Sequence, residues 1–426
     1  MTSSGSSSPS GSAGSDDSSG SSAPPGRADS LATAQRSMGD PAITYPLWPP
    51  LVSGCPRTGT DEVAYPVEVD YAYDRVDPEL FAPTGPRTGL ARWAPLLPPL
   101  LAPGLGEGDT PLLDLGGGVY VKDESRNPTW SHKDRINRCT VSAAVGVGAP
   151  GVVVSSSGNH GASAAAFAAR AGLPAVVLAS TGAPPAVESF LNAYGATVLS
   201  VPAEARWGLM REIVDRLGFH PLSNLTTTHT GHAFGPEGYK TIAYEIHAEL
   251  GMPAAVFVPT GYGELLFGIW KGFAELRRLG LTDRVPRLFA CEPAAGGPLA
   301  KAMRDGVPAA HVPVGPTAAY AIDCSVSGYR GVVALRASGG RALLVTDAQL
   351  AAARAELAGQ GLWVETSAAA GLAGLRAHGR SEDGPVVCIA TSSGFKDLDT
   401  GTRVPDPIDP TWPAVERRLR AAGMVS

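Results

Sequence analysis

Features of membrane, secreted and nucleic-acid-binding proteins are scarce in this chain of 426 residues. Its apolar runs all fall short of the roughly 20 residues that a membrane-spanning helix needs. Residues 1–38 are mostly Ser, Gly and Ala and lack the apolar core of a signal peptide. The 34 basic residues are scattered and are outnumbered by 40 acidic ones. We therefore expect no membrane and no nucleic acid as a partner.

Cysteine is also scarce, and its spacing is unsuited to a disulfide framework or a zinc site. None of the five cysteines forms a Cys-x-x-Cys pair, and all are widely spaced (Cys55, Cys139, Cys291, Cys324 and Cys388). We therefore expect no metal, and the reducing cytoplasm is the simplest location.

Composition along the chain predicts several segments. Residues 1–38 are predicted to be a disordered tail, because they cannot bury enough apolar area to offset the entropy lost on ordering. Residues 39–110 are Pro-rich and are predicted to wrap irregularly around the body of the protein, and residues 406–426 to form a C-terminal helix. From residue 111, short β-branched runs alternate with Ala-rich helices, which predicts an α/β fold with open, largely parallel sheets.

Residues 127–135 contain the first of four segments suited to chemistry. They read Asn-Pro-Thr-Trp-Ser-His-Lys-Asp-Arg, and a helix is predicted from Lys133 to about Gly148. A lysine that forms a Schiff base must be held in place and partly desolvated, so that its amine is nucleophilic near neutral pH. Alone, Lys-Asp-Arg is more often a solvated helix start, so the interpretation depends on three segments downstream.

The second segment, residues 152–164, is a β-branched strand followed by small polar residues and an Ala-rich helix. Asn159 lies at the turn, where the N–H groups of the helix start favour a bound carboxylate. An ordinary turn between a strand and a helix is the alternative interpretation.

The third segment, residues 256–268, leads from a buried-type strand through glycines into a helix. Gly261, Gly263 and Gly268 miss the Gly-x-Gly-x-x-Gly spacing of a dinucleotide site, so a single phosphate group is predicted. Glu264 is unfavourable there unless its carboxylate points away from the phosphate.

The fourth segment, residues 386–397, is a strand that ends in three hydroxyl residues. A hydroxyl beside a pyridine nitrogen is a neutral partner and does not enforce a positive charge on the ring. That choice favours elimination and replacement reactions over transamination.

Together these segments resemble the fold-type II pyridoxal-phosphate enzymes, most closely threonine synthase. Residues 127–135 are similar to that family's Asn-Pro-Thr-Gly-Ser-Phe-Lys-Asp-Arg, and residues 156–161 to its Ser-Ser-Gly-Asn-Thr-Gly loop. Residues 237–243 resemble its Glu-Gly-Gln-Lys-Thr-Ile-Ala, and similar segments follow in the family's order at 269–273, 361–370 and 394–397.

The resemblance implies two open, largely parallel-sheet domains with pyridoxal 5′-phosphate between them. Residues 140–235 would form a small mobile domain, and residues 111–139 together with 236–405 a large cofactor-binding domain.

Carried over residue by residue, the resemblance implies that Lys133 forms the Schiff base and that Asn159 contacts the cofactor's 3′-oxygen. Thr391 aligns with the hydroxyl residue at the pyridine nitrogen, and Ser392 is the alternative. The phosphate cradle is expected at Gly261, Tyr262, Gly263, Glu264 and Leu265. Substrate contacts are expected from Ser156, Ser157, Gly158, His160, Gly161, His229 and Thr230.

Departures from the family pattern predict a changed substrate. The arginine that helps threonine synthase bind its substrate's phosphate falls on Gly235, and His229 and Thr230 stand where the family has Asn-Ser. Charge-assisted hydrogen bonds of the lost kind are worth roughly 1.5–3 kcal/mol each. Protonated His229 and His232 are expected to recover part of this.

His160 stands where threonine synthase has threonine. Asn-His-Gly resembles the loop of relatives that eliminate from serine, threonine or diaminopropionate, so His160 is expected to contact substrate. Its alternative role is only to begin the helix.

The sequence thus predicts a pyridoxal-phosphate-dependent carbon-oxygen lyase, which removes a β- or γ-leaving group from a small amino acid other than O-phosphohomoserine. One alternative is a replacement synthase, which adds a second nucleophile at that carbon. Another is a catalytically inactive cofactor-binding homologue, although the joint presence of Lys133, Asn159 and Thr391 argues against it. A small amino acid is the expected substrate, and a homodimer is a possible assembly.

Overall fold

The computed structural model describes residues 29–82, 89–156, 158–181, 185–379, 383–397 and 407–425, with residues 185–188 as backbone only. Strands and helices alternate along these ranges and form three sheets, so the predicted α/β class is confirmed. Within this part of the chain, no helix has the length and apolar character that a membrane crossing demands.

The strands, in chain order, are β1 Ala32–Ser37, β2 Thr44–Pro46, β3 Val67–Tyr71, β4 Leu112–Asp114, β5 Val119–Asp123, β6 Val152–Ser155, β7 Ala175–Ser180, β8 Thr197–Val201, β9 His220–Pro221, β10 Ala255–Pro259, β11 Arg287–Pro293, β12 Arg341–Val345 and β13 Val386–Ala390.

The α-helices are α1 Lys133–Gly146, α2 Asn159–Arg170, α3 Pro185–Ala193, α4 Arg206–Leu217, α5 Gly235–Tyr239, α6 Thr241–Leu250, α7 Glu264–Arg278, α8 Pro298–Asp305, α9 Tyr329–Ser338, α10 Asp347–Gly359, α11 Ala370–His378 and α12 Trp412–Ala421. Short 3-10 helices lie at Tyr73–Arg75, Pro78–Phe81, Gly89–Leu96, Glu124–Arg126, Ala203–Ala205, Thr366–Ala369 and Gly394–Lys396.

The larger sheet has the order β12-β11-β10-β13-β5-β4 and is parallel except at its β4 edge. Every residue of β10 and β13 is buried, because helices cover both faces of the sheet. Val256 and Val258 pack in the cluster that contains α7, whereas Phe257 packs in the cluster that contains α11. The near-continuous apolar runs of these strands therefore reflect a sheet that is buried on both sides.

The smaller sheet, β8-β7-β6-β9, is parallel and is formed by residues 152–221. Val152 and Val154 pack with Phe167 of α2, and Val153 packs with Met210 of α4 on the other side. The larger and the smaller sheet each lie within the segments expected for one of the two domains. The boundaries and relative mobility of these domains stay predictions.

The third sheet corrects two expectations for the N-terminal part of the chain. The disordered tail was predicted to extend to residue 38, but β1 lies inside that range and pairs antiparallel with β2 and β3. Residues 1–28 of that tail lie outside the described residues. The segment at 39–110 is less irregular than predicted, since it contributes β2, β3 and several short helices.

Gln35 shows why composition alone missed β1. Its buried amide nitrogen donates to the carbonyl oxygens of Pro46, Leu47 and Pro49 at 2.8, 3.2 and 3.0 Å, and its Oε1 accepts from Leu51 N at 2.8 Å. These polar bonds order a segment that contains few apolar side chains. A search for hydrophobic periodicity cannot detect them.

Deleting residues 1–38 should lower stability, whereas deleting residues 1–28 should leave it unchanged. The longer deletion removes β1 and the Gln35 bonds, at a cost on the order of 3 kcal/mol or more. Urea unfolding of both proteins and the full chain checks this. Equal midpoints for the two deletions would show that β1 contributes nothing to stability.

Candidate active site

Lys133 begins α1 at the end of a firmly held turn. The buried carboxylate of Asp134 accepts a 2.7 Å hydrogen bond from Thr129 N and another from the Thr129 hydroxyl. Ser163 Oγ, from α2, donates to the same carboxylate at 2.6 Å. Asp134 therefore ties the turn before Lys133 to the helix of the neighbouring sheet.

Arg135 fixes the other side of the lysine. Its fully buried guanidinium binds Glu124 through Nε and Nη2 at 2.7 and 2.8 Å, and Glu245 through Nη1 and Nη2 at 2.6 and 2.8 Å. These carboxylates raise the pKa of Arg135 further above its usual range, against the effect of burial. The Asp and Arg of the Lys-Asp-Arg motif are thus anchors for the backbone that bears the amine.

The Lys133 amine is suited to nucleophilic chemistry. Burial lowers its pKa from the ordinary 10.5, and the nearby carboxylates of Glu264 and Glu365 offset this only in part. Its Nζ lies 5.7 Å from the ring centroid of Tyr239. A lowered pKa increases the fraction of uncharged, nucleophilic amine near neutral pH.

Other buried lysines near the centre of the protein are less suitable. Lys240 lies 2.8 Å from a carboxylate oxygen of Glu237, and Lys271 lies 2.7 Å from the other. Lys396 has no hydrogen-bond partner among the described residues, and burial lowers its pKa to about 8. It therefore provides a matched comparison for Lys133.

The loop before α2 brings several predicted site residues together. Ser156 Oγ accepts from Gly158 N at 3.2 Å, and a Cβ at Gly161 would overlap the Ser156 carbonyl oxygen. Asn159 Nδ2 donates to both Glu365 carboxylate oxygens at 3.1 Å, while its buried Oδ1 lacks a partner in the described part of the chain. The remaining predicted loop residue, Ser157, lies outside the described residues.

His160 is a neutral imidazole in this loop. Burial first, and then the charge of Lys133, lower its pKa to about 3. Its buried Nε2 has no partner among the residues that the structure describes. Among the described residues, no side chain caps the start of α2. These facts favour the expected contact with substrate over a role limited to beginning the helix.

The glycine turn before α7 is followed by backbone amides suited to binding an anion. A Cβ at Gly261 would lie 2.8 Å from Cys324 Sγ, and Gly263 has a φ of +90°, which disfavours other residues. The first amides of α7, including those of Glu264 and Leu265, have no partner within the helix and lie at its positive end. The phosphate cradle expected at this turn stays a prediction.

The side chains at this turn face residues 229–231. The ring of Tyr262 stacks on His229, with centroids 4.1 Å apart and planes 9° apart. Glu264 Oε2 lies 3.9 Å from His229 Nε2, and a Cβ at Gly231 would overlap Glu264 Oε1. The Glu264 carboxylate, which the sequence indicates is unfavourable beside a phosphate, is thus packed against this loop.

Thr230 of this loop and His232, which directly follows it, form hydrogen bonds with other parts of the protein. The Thr230 hydroxyl lies 2.9 Å from Thr226 Oγ1, and its amide donates to Asn224 Oδ1 at 3.0 Å. His232 Nδ1 accepts from Phe234 N at 2.9 Å, so its proton is on Nε2, which lies 2.8 Å from His220 Nε2.

The expectation that protonated histidines recover phosphate binding is wrong. Burial lowers the pKa of both His229 and His232 well below 6.5, and the charge of Arg330 lowers both further. Both rings therefore stay neutral near pH 7, and His232 is committed to His220.

Gly235 lies against α1 and leaves no room for a side chain. A Cβ there would be 2.8 Å from Ile136 Cγ1 and 3.4 Å from Thr140 Cγ2. This position therefore packs α5 onto α1, and an arginine could not enter without displacing one of the helices.

Sequence reasoning missed Arg330, a buried arginine of α9. Its Nη1 donates to Thr230 O, and its Nη2 donates to Val67 O at 2.6 Å. Its Nη1 also lies 3.6 Å from Glu264 Oε1. No motif surrounds Arg330 in the sequence, and only these tertiary contacts reveal it.

The end of β13 lies directly against the lysine turn. Thr391 O accepts from His132 N at 2.9 Å and lies 3.1 Å from its Nδ1, and Ser392 forms a backbone bridge with Ser131. Both residues at the strand end are buried. The structure therefore brings the fourth predicted segment beside the first.

Comparisons with known proteins agree with this geometry. The sequence pattern of the family described as "Pyridoxal-phosphate dependent enzyme" matches residues 104–392. The chain belongs to this family. It is 33% identical to the threonine synthase of Methanosarcina acetivorans over 78% of this chain and 85% of that protein. It is 34% identical to the threonine synthase of Methanocaldococcus jannaschii over 70% of this chain and 78% of that protein.

Solved structures of fold-type II enzymes share the fold. Maize serine racemase aligns with a TM-score of 0.59 and 19% identity, covering 74% of this chain and 93% of that one. A threonine deaminase of Solanum lycopersicum aligns with a TM-score of 0.57 and 19% identity, covering 72% and 79%. Pyridoxal phosphate is accordingly the cofactor of this chain, as the sequence predicted.

The residues at the site fit this cofactor. Lys133 has an amine of lowered pKa, Asn159 Oδ1 and His160 Nε2 are buried without partners in the described ranges, and the first amides of α7 have no partner within the helix. Lys133 and Asn159 would hold the ring end, and the turn would hold the phosphate.

Replacing Arg135 with alanine should strongly destabilise the protein. It would remove the guanidinium from the buried carboxylates of Glu124 and Glu245, of which Glu245 keeps its ion pair with Lys122 at 2.8 Å. Removing one partner from a buried ion pair typically costs about 3–5 kcal/mol. The exposed Arg126, paired with Asp123 at 3.1 Å, is the control, and its replacement should cost less than about 1 kcal/mol. Denaturant unfolding compares the two, and similar losses would refute the anchoring role of Arg135.

Proposed function

We propose that this protein is a pyridoxal-phosphate-dependent lyase of the threonine synthase-like type, acting on a small amino acid other than O-phosphohomoserine. The observation that carries the proposal is the contrast between two halves of the site. The residues around Lys133 suit the cofactor. Across the site, Gly235 faces α1, and His232 is bonded to His220, so neither offers a positive charge to a phosphate.

The bound cofactor supplies an electron sink for negative charge that develops at the substrate's α-carbon. Lys133 Nζ would be the base that takes the α-proton of the substrate and later returns it. Its lowered pKa suits this exchange near neutral pH. The anchors Asp134 and Arg135 keep its backbone in place while the side chain moves.

The loop at the start of α2 would orient the substrate. Its helix N-terminus would attract the α-carboxylate, and Asn159 and His160 present polar atoms there that have no partner among the described residues. A neutral His160 can hydrogen-bond to substrate without changing the charge of the site. Binding at this loop directs the substrate's side chain away from α2.

Lys133→Ala should abolish turnover and the characteristic cofactor absorption, whereas Lys396→Ala should retain both. Both lysines are buried and have lowered pKa values, but only Lys133 follows the anchored turn. Absorption spectra and borohydride reduction followed by peptide mapping identify the modified lysine. Labelling of Lys396 in the wild-type protein would contradict the assignment.

O-phosphohomoserine should be used at least about tenfold less efficiently than the best unphosphorylated substrate. Losing the charge-assisted hydrogen bonds of a guanidinium costs roughly 1.5–3 kcal/mol, which lowers efficiency about tenfold to a hundredfold. Because His229 and His232 stay neutral, the activity on it should not rise between pH 8 and pH 6. Phosphate release is compared with keto-acid formation from serine, threonine and β-substituted alanines.

The same assay with added thiol or amine nucleophiles separates elimination from replacement through the mass of the product. Gly235→Arg should not rescue phosphate release and should lower stability, because the side chain would displace Ile136. Efficient use of O-phosphohomoserine by the wild type would make this protein an ordinary threonine synthase.

A further inference from the structure

Glu264 is the feature of the site that cofactor binding does not explain. Its side chain is 11% exposed, and its Oε1 is buried without a hydrogen-bond partner among the described residues. Burial raises the pKa of this carboxyl, although the charges of Arg330 and Lys133 lower it in part. Because burying a polar atom without a hydrogen-bond partner costs free energy, a functional role is expected for this carboxyl.

The protein makes room for this carboxyl. Gly231 has a φ of +59°, and a Cβ there would overlap Glu264 Oε1. The imidazole of His229, stacked on Tyr262, lies 3.9 Å from Oε2. The conformation of the 229–231 loop is therefore compatible with the carboxyl in this place.

The charges next to Glu264 do not form an anion site. Arg330 is the nearest cation, but its Nη1 and Nη2 already bind the carbonyl oxygens of Thr230 and Val67. His229 is neutral because burial lowers its pKa. The remaining nitrogen of Arg330, Nε, is buried without a partner among the described residues, so most of the guanidinium is engaged by carbonyl oxygens.

Electrostatics also orients the substrate with respect to Glu264. Glu264 and Glu365 both raise the pKa of the Lys133 amine in part, and Glu365 accepts a hydrogen bond from Asn159. The N-terminus of α2 would attract the substrate's α-carboxylate, and Glu264 would repel it. In the proposed orientation the α-carboxylate lies at α2, which would leave the space near Glu264 to the substrate's side chain.

Resting on the proposed function, we propose that Glu264 determines the leaving group: it accepts a hydrogen bond from a hydroxyl or ammonium group on the substrate's side chain and excludes phosphate. The shared chemistry of the accepted substrates is a hydrogen-bond donor on Cβ or Cγ. A carboxylate is an acceptor for both groups and repels a phosphate dianion.

The test is a binding series on the cofactor-loaded protein with L-serine, L-2,3-diaminopropionate and O-phospho-L-serine. These ligands share one backbone and differ only at Cβ. The initial change of cofactor absorption on rapid mixing gives each apparent Kd, separately from turnover. The wild type should bind serine or diaminopropionate at least about tenfold more tightly than O-phosphoserine, because like charges in contact are strongly unfavourable.

Glu264→Gln should reverse this preference. O-phosphoserine should bind about tenfold more tightly than it does to wild type, and diaminopropionate about tenfold more weakly. Serine should change less than about threefold, since an amide oxygen still accepts its hydroxyl hydrogen bond. Glu356→Gln, which changes an exposed carboxylate of α10 paired with Arg376, is the control and should leave all three constants unchanged.

A separate titration of the cofactor-free proteins with pyridoxal phosphate distinguishes the effects on cofactor and substrate. If Glu264→Gln strengthens cofactor binding and leaves the ligand order unchanged, Glu264 acts on the cofactor's phosphate and the inference is wrong. Tightest binding of O-phosphoserine by the wild type also overturns it, even if the variant fails to fold. A wild type whose spectrum responds to no amino acid overturns the proposed function as well.

Discussion

The fixed position of one amine is the constraint on which this site depends. In the proposed reaction the Lys133 side chain has to move, so its backbone has to stay in place. Asp134 and Arg135 achieve this with buried charges that are fully hydrogen-bonded, Asp134 to the preceding turn and α2, Arg135 to Glu124 and Glu245. Buried charges of this kind seldom add net stability compared with an apolar core, and their value here is geometric.

The N-terminal sheet extends this support to the opposite side of the site. Val67 O and Val69 O, on β3, accept hydrogen bonds from Arg330 and Lys271. Arg330 in turn holds the carbonyl oxygen of Thr230, in the loop that packs on Glu264. A segment whose composition suggests a loose wrapping therefore positions groups that face the substrate.

Local patterns in the sequence predicted the fold and the cofactor, whereas the cofactor contacts of individual residues stay predictions. Strand-turn-helix segments around Lys133, Asn159 and Gly261 are continuous in sequence, so periodicity and turn residues reveal them. The substrate half depends on contacts between distant segments, such as Arg330 with Thr230 and His220 with His232. No spacing rule encodes those pairs.

Trp130 is another residue whose conformation is understood from a tertiary contact and not from the local sequence. It stands where threonine synthase has glycine, yet it keeps the left-handed backbone that suits glycine, with a φ of 62°. A bulky residue in that region is strained. Its ring lies 5.1 Å from Phe190 of α3, so contact between the lysine turn and the smaller sheet's helix compensates for the strain.

The unusual residues of the substrate half depend on one another. Glu264 can occupy its place only because residue 231 is glycine, and its charge is tolerated beside Arg330, which is itself held by β3. These residues come from three separate stretches of the chain. Changing any one alone would leave an overlap or an unpaired buried charge. Glu264, Gly231 and Arg330 therefore form one packed unit, and the proposed role of Glu264 depends on all three.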